Sequence, residues 1–76
     1  MQVLFDDGSA VQLAEEEAAA LYDELWLLVP QRGAISAAGK LAHALREPVA
    51  LRRLVLDVHE ASVFALARAN ALRPTP

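Results

Sequence analysis

Two short apolar runs, Val3-Leu4-Phe5 and Ala10-Val11-Gln12-Leu13, flank Asp6-Asp7-Gly8-Ser9 near the start of the chain. An Asp-Gly pair between apolar runs predicts a β-hairpin, with strands over residues 2–6 and 10–13. A two-residue turn on Asp7-Gly8 would set Leu4 opposite Val11 and Phe5 opposite Ala10. Leu4, Val11 and Leu13 would then share one face, and Val3, Phe5 and Ala10 the other. A hairpin packed on one side alternates apolar with polar residues, so apolar groups on both faces suggest that the second face is also covered.

From Glu15 the period changes to 3.6. Ala18, Leu21, Leu25 and Leu28 fall on one helical face, flanked by Tyr22, Trp26 and Val29, which predicts a helix over 15–29. Glu15, Glu16 and Glu17 suit the positive end of its dipole, although Ala14 is a poor N-cap. Pro30 and Gly33 stop it. Ile35, Ala38, Leu41, Ala42 and Leu45 mark a second helix over 35–46, with Ser36 near its cap and Glu47-Pro48 at its end. Trp26, the one tryptophan, is the natural large anchor for so small a core.

Residues 49–56 fit two patterns. As a helix, Leu51, Leu54, Val55 and Val58 keep the 3.6 period; as a strand, Leu54-Val55-Leu56 runs into Asp57, whose spacing to Glu60 forms a capping box for a last helix over 58–72. The strand is preferred. It also echoes the strand-then-helix layout of residues 11–18, where Leu13, Glu17 and Ala18 recur as Leu56, Glu60 and Ala61. The predicted fold is therefore α+β: an N-terminal β-hairpin, two helices, a third strand and a C-terminal helix. It forms a single compact domain over residues 1–73 with 74–76 as a frayed tail. Leu4, Val11, Leu13, Leu21, Leu25, Leu28, Leu41, Leu45, Leu54, Leu56 and Phe64 are the expected core.

Composition adds that packing alone must hold this fold. The chain has 76 residues, no cysteine, 55% hydrophobic residues and a mean hydropathy of +0.27. Disulfides and cysteine zinc sites are excluded, and disorder does not fit. A domain this small buries only about 60% of its unfolded surface, so further burial against a partner would help. The last helix is apolar nearly all round. Together with the two-sided hairpin, this predicts a homo-oligomer, with Val3, Phe5, Val63 and Leu66 as interface candidates. The longest run of large apolar residues, Leu25 to Val29, is too short for a membrane helix, and a cytoplasmic location is expected.

Charge is unevenly placed. Residues 1–31 carry seven acids and no Lys or Arg, whereas residues 32–76 carry seven bases and three acids, giving −7 and +4 for a net −3. The two halves are expected to meet, with Arg46, Arg52 or Arg53 near Glu15, Glu16, Glu17, Asp23 or Glu24. The same Arg46, Arg52 and Arg53 form a candidate basic patch for an anionic partner. If residues 36–55 were helix, turn, helix, the chain would resemble a DNA reader in layout. A net negative charge and few base-reading side chains make a DNA-associated regulator the second choice.

No phosphate loop, dinucleotide fingerprint or nucleophile elbow is present. His43 and His59 lack the spacing that places two ligands on one helix face, and Asp57 and Glu60 already have capping roles. The acids at residues 6–7 and 15–17 are explained by a turn and a helix start. No catalytic residue, cofactor or metal is assigned. The sequence points to a non-enzymatic protein–protein interaction module that pairs with itself, and any other protein partner is left unidentified.

Overall fold

The fold, taken from a computed structural model, is described for residues 1–72. The expected tail, 74–76, lies outside them. In order the elements are strand β1 (Gln2–Phe5), strand β2 (Ala10–Gln12), helix α1 (Glu15–Leu27), helix α2 (Ala34–Arg46), a 3-10 turn (Val49–Leu51), strand β3 (Arg53–Leu56) and helix α3 (Val58–Ala71). The predicted α+β order is the observed one. The sheet runs β2-β1-β3, with β1 antiparallel to β2 and parallel to β3.

The hairpin forms where expected, but one residue out of the expected register. Phe5 N donates to Ser9 O at 2.9 Å and Gly8 N donates to Phe5 O at 3.0 Å, which closes a three-residue loop, Asp6-Asp7-Gly8. Gly8 takes the left-handed conformation at φ 89°, the arrangement of a turn followed by a one-residue bulge. The Asp7 carboxylate fixes the loop by accepting from Ser9 N at 2.9 Å and Ser9 Oγ at 2.6 Å. The pairs are Gln2 with Gln12, Val3 with Val11 and Leu4 with Ala10. Because side chains alternate, this slip regroups the faces. Val3 turns into the core and Leu4 turns out, the reverse of the sequence expectation.

β3 continues that division. Val3 pairs with Leu54 and Phe5 with Leu56 on the inner side, while Gln2 pairs with Arg53 and Leu4 with Val55 on the outer side. Leu54 and Leu56 are buried and Arg53 and Val55 exposed. β3 takes only Arg53–Leu56 of the 49–56 stretch because Pro48 starts the 3-10 turn, in which Leu51 N donates to Pro48 O at 2.8 Å.

All three helices contribute to one core on the inner side. Ala18, Leu21 and Leu25 of α1, Ala34, Ala37, Ala38, Leu41 and Ala44 of α2, and Val63, Phe64 and Ala67 of α3 join Val3, Leu13, Leu54 and Leu56. The alanines bring little area each but let helix backbones approach closely. Gly33 shows the limit: at φ 90° it faces the first turn of α3, and a Cβ there would lie 2.8 Å from the His59 carbonyl carbon. Trp26 does not anchor the core; it is 47% exposed and stacks edge-on with Tyr22, with centroids 6.2 Å apart. One turn beyond Tyr22, it sits beside the stripe of Leu21 and Leu25 rather than on it.

Two polar devices tie the elements together. Asp57 caps α3 by accepting from Glu60 N at 2.8 Å, and Glu60 Oε1 accepts from Asp57 N at 2.9 Å, the expected capping box. Arg52 caps the other end of α2: its Nε donates to Glu47 O at 2.9 Å and its Nη2 to Leu45 O at 3.2 Å, while Nη1 is paired with Glu15 at the start of α1. The guanidinium thus meets both the negative end of one helix and an acid at the positive end of another.

Candidate functional site

With the helices packed against Val3, Leu54 and Leu56 on the inner side, the outer sheet face has no cover among the described residues. Its central row is Ala10, Leu4 and Val55, set side by side by the strand pairing. Val55 is 56% exposed, and Leu4, flanked by the other two, is half-buried. Gln12, Gln2 and Arg53 form the adjoining row. A solvated sheet face ordinarily carries polar residues at these outward positions, so an apolar central row is the feature to be explained.

The face is also electrically polar along the strands. β1 and β3 run parallel, so Arg53 and Gln2 stand at one end, while Asp6, Asp7 and Asp57 follow the strands at the other. Among the described residues, ion pairs within 4.0 Å involve Lys40, His43, Arg52 and Arg68, and none involves Arg53 or these three aspartates. The Ser9 hydroxyl, followed by its backbone N–H, holds the Asp7 carboxyl below its ordinary value of 3.8. The Glu60 N–H does the same for Asp57. Both are therefore fully charged at neutral pH. An opening of about 440 Å³ on the helix side of this end, between the hairpin loop and α3, is lined by Phe5, Asp6, Asp7, Val58, Ala61 and Ser62.

A second cluster lies between α2 and α3. Lys40 Nζ donates to Glu60 Oε1 at 2.6 Å and to Val55 O at 2.9 Å, while Glu60 is 2% exposed. Burial alone would push the Glu60 carboxyl up; hydrogen bonds from Asp57 N and from Lys40 outweigh it and hold the carboxyl below 4.5. This pair is internal, and it covers a carbonyl on the free edge of β3, a common way to blunt a sheet edge. Its role is to hold α2, α3 and β3 together. Neither partner was singled out for this pairing from the sequence, where Glu60 had only a capping role.

The four interface candidates separate. Val3, at 0% exposure, and Val63, at 3%, belong to the core of the single chain and leave no surface for a partner. Phe5 is half-buried against Phe64, edge-on with centroids 6.0 Å apart, and only Leu66, at 41%, is openly exposed. The basic patch also separates. Arg52 is engaged within the chain, as the charge distribution led us to expect, whereas Arg46 and Arg53 are exposed. The second helix of the DNA-reading layout is replaced by the 3-10 turn and β3. Among the described residues no group of three His, Asp or Glu is placed to hold a metal ion, and no helix is long and apolar enough to cross a membrane.

Of the row, Leu4 was missed as a surface residue, whereas Ala10 was expected on the second hairpin face and Val55 was not among the expected core. Sequence reasoning put Leu4 in the core, and the loop length that decides its side is one residue longer than the Asp-Gly pair implied. No protein-family model, curated protein or solved structure matches the chain.

Proposed function

We propose that this protein is a small non-enzymatic interaction module that pairs with a second copy of itself through the outer face of its sheet. The observation that carries the reading is the uncovered row of Ala10, Leu4 and Val55 on that face. Exposed apolar side chains on helices, such as Leu66, are ordinary on folded surfaces, but an apolar row across the middle of a bare sheet face resembles one inner face of a two-sheet sandwich. Strands of three and four residues give a small face, so the dimer belongs at the weak end of protein interfaces, in the micromolar range or above.

Nucleic acid is not favoured. Arg52 is occupied within the chain, and the layout that suggested a DNA reader is absent from the fold. The test is light scattering across a concentration series, with Val55→Glu beside the parent. The parent should move from a mass near 8.2 kDa toward twice that value as concentration rises. Val55→Glu should stay monomeric while melting close to the parent, because it changes an exposed position. A parent that stays monomeric at several hundred micromolar would refute the reading.

A further inference from the structure

The charges at the two ends of the face define how two copies would meet. We infer that the pairing is antiparallel and two-fold, with the Ala10, Leu4 and Val55 row along the axis and Arg53 of each subunit set against the Asp6, Asp7 and Asp57 end of the other. The inference rests on the self-pairing reading above and adds its geometry.

The row is the midpoint of the face. Arg53 lies two residues before Val55 and Asp57 two residues after it; Gln2 and Asp6 stand in the same relation to Leu4. At about 3.3 Å per residue, each charged end is roughly 7 Å from the row. A two-fold axis lying between the facing sheets and along the row reverses strand direction. Positions two residues before the row in one subunit then lie over positions two residues after it in the other. Leu4 meets the partner subunit's Leu4, Val55 meets the partner subunit's Val55, and Arg53 reaches the partner subunit's Asp57 and Asp6. Facing sheets twist by about 30° relative to each other. The resulting offset is within the reach of an arginine side chain.

The competing two-fold arrangement has its axis along the strands. It keeps strand direction and brings like ends together, placing Asp6, Asp7 and Asp57 against the same three residues of the partner. Such juxtaposition of like charges disfavours an interface. The antiparallel arrangement converts the same charges into two identical attractive contacts, the self-complementarity that a two-fold interface requires.

A charge-reversal pair tests this directly by sedimentation at low salt. Asp7 and Asp57 are left intact because they hold the hairpin loop and cap α3. Arg53→Glu alone and Asp6→Arg alone should each self-associate about fivefold or more weakly than the parent, since each creates a repulsive contact twice per dimer. An equimolar mixture should associate more strongly than either variant alone, because the heterodimer has one reversed attractive pair and one native one. High salt should erase that recovery. Arg53→Gln mixed with Asp6→Arg should recover only part of it. Should a reversal fail to fold, as judged by circular dichroism, Arg53→Gln and Asp6→Asn replace the reversals, and each should weaken the dimer by a smaller, salt-sensitive factor. A parent that dimerises while the mixture stays as weak as its components overturns the antiparallel geometry alone. A parent that stays monomeric overturns the self-pairing reading itself.

Discussion

Lys40→Met should destabilise the fold by more than a surface substitution would. The side chain is 45% exposed, but its ammonium is hydrogen-bonded to a Glu60 carboxylate that is almost wholly buried, and to Val55 O. Breaking a fully buried ion pair by removing one partner costs about 3–5 kcal/mol, because a charge is left unpaired away from water. Here water can reach the vacated side and the Asp57 N–H still serves the carboxylate, so about 1–3 kcal/mol is the appropriate range. A domain of this size has roughly 4–11 kcal/mol in total, and each kcal/mol lowers Tm by about 4–8 °C. Glu60→Gln keeps the acceptor for Asp57 N and should cost less. In a double-mutant cycle measured by urea unfolding, the coupling between the two positions should be at least about 0.5 kcal/mol. A Lys40→Met variant that melts with the parent, or a coupling near zero, would refute the bridging role.

The same network sets a pH dependence. The Glu60 carboxyl is held below 4.5 in the fold, so the native state binds fewer protons there than the unfolded chain. Its stabilisation is complete above that value and is lost as pH falls through it and toward the lower native value; Glu60→Gln should flatten part of the acid side of a stability profile. Two glycines should respond oppositely to alanine. Gly33→Ala meets the His59 backbone at a left-handed φ and should destabilise by about 2 kcal/mol or more, whereas Gly39→Ala, which meets nothing within 4 Å in the middle of α2, should stabilise by roughly 0.5–1 kcal/mol in thermal melts. Leu25→Ala removes a side chain with 0% exposure and should cost about 2–5 kcal/mol by urea unfolding.

What the sequence made legible was local. The Asp57–Glu60 capping box separated a third strand from a continuous helix because its two partners are three residues apart. Pro48 and Pro30 likewise marked the breaks on either side of α2. The hairpin was legible but its register was not: an Asp-Gly pair serves equally as a two-residue turn and as the end of a three-residue loop with Gly8 left-handed, and the difference of one residue exchanges the faces. That exchange moved Val3 into the core and Leu4 to the surface, and with them the candidate interface. Trp26 was misplaced for a related reason, since the helical stripe allows a flanking residue to face either way and the alanine-rich neighbours already closed the core. The Lys40–Glu60 bridge joins residues twenty positions apart on different elements, which periodicity cannot pair. Arg52 and Glu15 belonged to the sets expected to meet, but that Arg52 would also cap α2 depended on the path of the chain through Val49–Leu51.

The most direct test of the outer face as a self-pairing surface is a dilution series of amide spectra by NMR, from several hundred micromolar down to about ten. Self-pairing predicts concentration-dependent shifts at Gln2, Leu4, Ala10, Gln12, Arg53 and Val55, extending to Asp6 and Asp57, with α1 and the inner residues of α2 unchanged. Spectra independent of concentration, or shifts centred instead on Trp26, Leu27 and Ile35, would contradict it.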